Sequence, residues 1–167
     1  MNTAHWHLIL NHVPILGTLA CIIIIAFGLL RKNRDTQLLG LAGVVVMALI
    51  SLIVMETGEG AEELVEKLPG IADAAMDAHE DAAKIANIIL IVAGVFSVIT
   101  LALHFFKRGL YVAAVWLTLI ISAVAFGFMG YTGYLGGKIR HTETSAVNAA
   151  NPQQTGDAAE AATEEED

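Results

Sequence analysis

Histidines are the residues of this sequence best suited to bind a metal ion or a haem iron. His7 and His12 lie near the start of the first apolar segment, His79 precedes the third, and His141 follows the fourth. Imidazole is a common metal ligand, and ionisable groups at membrane depth usually face a bundle interior and mark a function. His12 lies deepest in an apolar segment, so we predict it as the first ligand. The alternative is a histidine that hydrogen-bonds a backbone carbonyl near a helix start.

Carboxylates form a second set of candidate ligands. Residues 55–81 carry nine of them against one lysine, Lys67. Mixed imidazole and carboxylate ligands suit iron, manganese or zinc. The sequence therefore predicts, as an alternative to haem, a metal site drawn from six residues: His12, His79, His141, Glu80, Glu63 and Glu59.

Four long apolar segments must position these side chains. The chain has 167 residues, of which 56% are hydrophobic and only 16% charged, and its mean hydropathy is +0.64. About 20 apolar residues suffice to cross a bilayer, and the segments span about 8–30, 38–55, 82–106 and 110–135. We predict an all-α fold, an integral four-helix transmembrane bundle in contact with the lipid bilayer.

Two polar stretches accompany the predicted bundle. Apolar and acidic residues alternate at helical spacing before Pro69, which predicts a short amphipathic helix at the membrane surface. Residues 144–167 have no apolar period, so we predict a disordered acidic tail after a transmembrane domain of residues 1–143.

Charge predicts the orientation of the bundle. Short loops rich in lysine and arginine stay in the cytoplasm, and such turns follow the first and third segments at residues 31–34 and 107–108. We therefore predict a multi-pass protein of the bacterial inner membrane with both termini in the periplasm. Five of the six histidines then lie on the periplasmic face, and only His104 lies near the cytoplasmic end.

A set of short motifs resembles a known bacterial family. His7-x-x-x-x-His12-x-Pro14-Ile15 opens the first segment, Thr57–Gly58 closes the second, His79 opens the third, and Gly133-x-x-Gly136-Gly137-x-x-x-His141 closes the fourth. In this order they are similar to a four-helix inner-membrane family catalogued as a domain of unknown function. Its domain also occurs joined to c-type cytochrome domains, so the resemblance implies a respiratory or electron-transfer setting.

Haem b is the first cofactor that we predict. Facing bundle helices commonly supply two axial imidazoles, and we assign them to His12 and His79, with His141 in reserve and His7 behind it. Lys138 and Arg140 could neutralise the haem propionates, and glycines of the fourth segment leave room beside a flat ring.

Three functional interpretations remain open at this stage. They are a haem-binding electron-transfer component, a non-haem metal protein, and a cofactor-free subunit that anchors or regulates a respiratory complex. A c-type cytochrome or a respiratory complex is the expected partner. Whether the chain also forms a homo-oligomer is left open. The sequence has no basic nucleic-acid footprint, no nucleophile–base pair and no phosphate-binding loop, so neither nucleic acid binding nor an enzyme acting alone is expected.

Overall fold

A computed structural model gives the fold and describes residues 2–65, 73–106 and 108–140. Five α-helices follow in chain order: α1 (Thr3–Leu10), α2 (His12–Leu30), α3 (Arg34–Val65), α4 (Asp73–Phe106) and α5 (Arg108–Arg140). Within these residues no strand occurs, and the predicted all-α class is confirmed.

The first membrane segment is divided into α1 and α2 at Asn11. Pro14 explains the break, because its ring has no N–H to donate and collides with the carbonyl four residues earlier, that of Leu10. On either side of this break the packing differs, since α1 packs chiefly against α3, whereas α2 packs against α3 and α5. The histidine-bearing start of the chain therefore lies beside the end of α3.

Among the described residues, four helical segments are long and apolar enough to cross a membrane. They are Thr3–Leu30, Arg34–Leu64, Ala74–Phe106 and Gly109–Ile139. The largest apolar side chains point outward, with Leu30, Phe105 and Phe106 about four-fifths exposed. Monomeric soluble proteins rarely expose so much continuous apolar surface. The chain is thus a multi-pass membrane protein whose outer face suits lipid.

Buried hydroxyl groups join the helices inside the bundle. Ser97 Oγ donates to the carbonyl of Leu41 at 2.7 Å, which links α4 to α3. The hydroxyls of Thr100 and Thr118 lie 3.0 Å apart and link α4 to α5. In lipid the apolar driving force between helices is weak, so small residues and interhelical hydrogen bonds carry the association.

The end of α3 differs from the expectation. The sequence predicted a second span ending at Met55 and a separate surface helix after it, but α3 continues without a break to Val65. Polar side chains do not stop a helix whose backbone hydrogen bonds are intact, and no proline occurs between the start of α3 and Pro69. Residues 144–167, predicted as a disordered tail, lie outside the described residues.

Close contact between α2 and α3 yields a first prediction. A Cβ on Gly40 would lie 2.6 Å from Ile25 Cγ1 and 3.1 Å from its backbone nitrogen. Gly40→Ala should therefore force the helices apart and lower the free energy of unfolding by about 1–3 kcal/mol, measured by denaturant titration in detergent. Gly127→Ala is the matched control, because a Cβ there meets nothing within 4 Å. Equal loss in both variants would contradict the packing argument.

Candidate functional site

His7 is held by a backbone carbonyl at the end of α3. Its Nδ1 lies 3.2 Å from the carbonyl oxygen of Val54. A carbonyl can only accept, so Nδ1 carries the proton, and in the neutral ring Nε2 keeps a free lone pair. Val54 O also accepts from Thr57 Oγ1 at 2.9 Å, and this sharing fits the longer bond to His7. His7 therefore presents the nitrogen that a metal would bind.

His79 is held in the same way at the start of α4. Its Nδ1 donates to the carbonyl oxygen of Thr132 on α5, at 2.9 Å. Its ring is partly buried, and the same tautomer argument leaves Nε2 as the free nitrogen. Metal-binding histidines are commonly oriented by a hydrogen bond from the other ring nitrogen, which fixes the tautomer and the ring direction.

A glycine accompanies each of these carbonyls four residues later. A Cβ on Gly58 would lie 3.2 Å from His7 Cε1, and a Cβ on Gly136 would lie 3.0 Å from His79 Cε1. Residues four apart share one helix face, so a side chain there would stand over the carbonyl that the histidine uses. The two glycines leave these carbonyls accessible to an imidazole.

The two histidine arrangements therefore repeat one pattern. In the first half of the chain α1 places His7 on α3, and in the second half α4 places His79 on α5. Each arrangement consists of a histidine, a carbonyl on the neighbouring helix and a glycine four residues after that carbonyl. The repeat is structural and does not follow from equal spacing in the sequence, because the segment from histidine to glycine differs in length between the two halves.

The two imidazoles belong to helices that share one neighbour. Helices α1 and α4 both pack against α3, yet among the described residues they do not pack directly on each other. The site thus offers two oriented imidazoles from two helices that are themselves apart.

Comparisons with family models, with curated proteins and with solved structures give no match. The resemblance to the four-helix inner-membrane family therefore stays a prediction. The site has to be interpreted from its own geometry.

The predicted pair of His12 and His79 stays a prediction as well, but the geometry favours His7 in place of His12. His12 begins α2, and its side chain is exposed. The five residues from His7 to His12 turn a helix by about 500°, so the two side chains lie on different faces. Depth in the apolar segment suggested His12, whereas contact with the carbonyl of Val54 distinguishes His7.

Among the described residues, the predicted carboxylate ligands do not form a group of three or more with the histidines. Glu80 forms an ion pair with Lys84, with Oε1 2.8 Å from Nζ, and Glu59 and Glu63 are exposed. In the part of the chain that the structure describes, no group of three or more His, Cys, Asp or Glu residues could hold a metal ion. His141 and the side chain of Arg140 lie outside that part.

The glycines of α5 divide into two kinds. Gly136 meets His79, whereas Gly127, Gly130, Gly133 and Gly137 have nothing within 4 Å of an added Cβ. Lys138, which was expected beside a haem propionate, lies with its Nζ 4.5 Å from the centre of the Tyr134 ring. Open space for a flat ring therefore remains beside Gly127, Gly130, Gly133 and Gly137, whereas the His79 ring already fills the space beside Gly136.

Proposed function

We propose that the protein binds one haem b through His7 and His79 and acts as an electron-transfer component of the membrane. One observation carries this proposal: each histidine donates Nδ1–H to a backbone carbonyl and keeps Nε2 free. The helices that carry the two rings both pack against α3, which supports one ligand held between them. Haem is suited to such a pair, because its iron needs only axial ligands from the protein.

The number of ligands favours haem over a bare metal ion. Structural zinc takes four protein ligands and catalytic zinc takes three. The described residues offer two imidazoles together and no group of three such ligands. A porphyrin supplies the remaining nitrogens itself, so two histidines complete the coordination of its iron.

Two axial imidazoles also indicate the kind of chemistry. With an imidazole from each of the two histidines, a bound haem would have no open position for a substrate and would supply reversible one-electron transfer. The part of this chain is to orient the two rings, through the carbonyls of Val54 and Thr132. An anchoring or regulatory role without a cofactor is the alternative.

The acidic end of α3 places negative charge near the proposed site. Glu59 and Glu63 are exposed a few residues beyond the carbonyl that holds His7. A negative surface attracts a basic partner over a range that salt shortens. A basic c-type cytochrome is the partner we propose, and the periplasmic face of a bacterial inner membrane is the location that the basic turns favour.

The visible spectrum of the purified full-length protein tests the proposal. We expect one haem per chain and, on adding dithionite, the sharp bands of a low-spin haem with two imidazole ligands. Metal analysis of the same sample should find iron in equal amount, with neither zinc nor manganese. A preparation made with ample haem supply that contains none would overturn the proposal, and bound zinc or manganese would favour the non-haem alternative.

A further inference from the structure

A half-open cavity lies at the opposite end of the bundle from the two histidines. Its volume is about 380 Å³, and it lies where α2 ends and where α3 and α5 begin. Six of its lining residues are Leu29, Lys32, Arg34, Gln37, Tyr111 and Trp116. The haem proposed above makes no use of this end.

Two buried polar side chains of this cavity have unpaired atoms. Tyr111 is completely buried and Gln37 is 5% exposed. Gln37 Nε2 donates to the carbonyl of Gly28 at 3.0 Å, but Gln37 Oε1 and the Tyr111 hydroxyl have no hydrogen-bond partner within the described residues. Leaving such atoms unpaired is costly, so each would gain from a hydrogen bond to a ligand that reached it from the cavity.

Positive charge surrounds the same cavity. The guanidinium carbon of Arg34 lies 5.0 Å from the centre of the Tyr111 ring, and Lys32 is another lining residue. Lys32 has a φ of 51°, a left-handed conformation at the end of α2 that favours glycine. Asp35, the acidic residue of this turn, is exposed and is not part of the lining. The ligand of this cavity should therefore be an anion.

The outer wall of the cavity is apolar. Val112 and Trp116 belong to the lining and are each about half exposed on the outward face of α5. In a membrane protein that face meets lipid chains, and tryptophan is common at the level of the headgroups. A ligand here has an anionic group toward Lys32 and Arg34 and an apolar part along Trp116.

We propose that this cavity binds the phosphodiester headgroup of an anionic phospholipid, of the phosphatidylglycerol type. Basic pockets between membrane helices are suited to such headgroups. Lys32, Arg34 and the Tyr111 hydroxyl donate to the phosphate oxygens, and a headgroup hydroxyl donates to Gln37 Oε1. Free phosphate shares the anionic group but lacks the acyl chains that would lie along Trp116.

Native mass spectrometry of the full-length protein in detergent tests this site. Phosphatidylglycerol should bind at least about tenfold more tightly than phosphatidylcholine, and inorganic phosphate should not displace it. Equal binding of the two lipids would overturn the proposal. Displacement by millimolar phosphate would assign the site to the free anion, and displacement by a quinone would assign it to a neutral headgroup, so either result would also overturn it.

Tyr111→Phe separates ligand binding from folding. The variant keeps the ring under Arg34 and loses only the hydroxyl, so it should bind phosphatidylglycerol several-fold more weakly. Without lipid its melting temperature should be equal or higher, because an unpaired buried hydroxyl is removed. Unchanged lipid affinity would contradict the proposed role of the hydroxyl.

Charge variants complete the test. Lys32→Gly should weaken phosphatidylglycerol binding about tenfold while it relieves the left-handed turn and preserves or raises the melting temperature without lipid. Arg31→Gln is the matched control, since Arg31 is exposed beside Lys32 and is not part of the lining. Equal weakening by both variants would show a general surface attraction and overturn the site. Haem content should be unchanged in all of these variants, which keeps this test separate from that of the proposed function.

Discussion

Replacing either His7 or His79 with alanine is expected to abolish haem binding while the helical bundle remains folded. Removing groups that only orient a metal ligand costs about 10–100-fold in affinity, so removing the ligand itself should cost at least about 100-fold. Each change also removes a polar ring that is only partly buried, and neither residue belongs to the apolar core. Haem per chain in the purified variant is the measurement, with helix content from circular dichroism as the check on folding.

His12→Ala is the control that distinguishes the two histidine pairs. His12 is exposed at the start of α2, and its loss should leave haem content unchanged if His7 and His79 are the ligands. Loss of haem in the His12 variant together with its retention in the His7 variant would restore the pair predicted from sequence depth. Retention of haem in both the His7 and the His79 variants would end the bis-imidazole hypothesis.

The number of membrane-spanning segments and their helical type could be predicted because a membrane makes apolarity and length decisive. Four apolar segments, separated by polar turns, correspond to the four candidate spans. The helix ends could not be predicted from hydropathy, because α3 continues ten residues beyond Met55 to Val65. Outside the apolar layer a helix ends where its backbone hydrogen bonds are interrupted. Polar side chains alone do not interrupt them.

The histidines of the candidate site were predicted from the sequence with His12 ranked first, whereas the structure favours His7. Membrane depth can be estimated from position in an apolar segment, and it favoured His12. Contact with a carbonyl depends on the break before Pro14 and on the way α1 lies on α3, which are properties of the fold. The sequence signal that could have indicated His7 is a pair of glycines, Gly58 in the first half and Gly136 in the second. Each lies four residues after a carbonyl that accepts a hydrogen bond from a histidine.

A leucine in place of Gly58 or Gly136 should remove the haem even though both histidines are retained. A Cβ at Gly136 would already lie 3.0 Å from His79 Cε1 and 3.2 Å from Nδ1, so a longer side chain must displace the ring from the carbonyl of Thr132. At Gly58 the corresponding distances to His7 are 3.2 Å and 3.4 Å. Displacing the ring removes the orientation of Nε2, and haem affinity should fall by at least about tenfold.

Gly137→Leu is the matched control on α5, because nothing lies within 4 Å of a Cβ at that position. It should retain the haem content and reduced spectrum of the parent protein. If it loses haem as Gly136→Leu does, the loss comes from a leucine anywhere on this part of α5 and not from the contact with His79. The repeated arrangement also requires Gly58→Leu and Gly136→Leu to behave alike. Haem loss from only one of them would mean that the two histidines are not equivalent, and that a single oriented imidazole holds the cofactor.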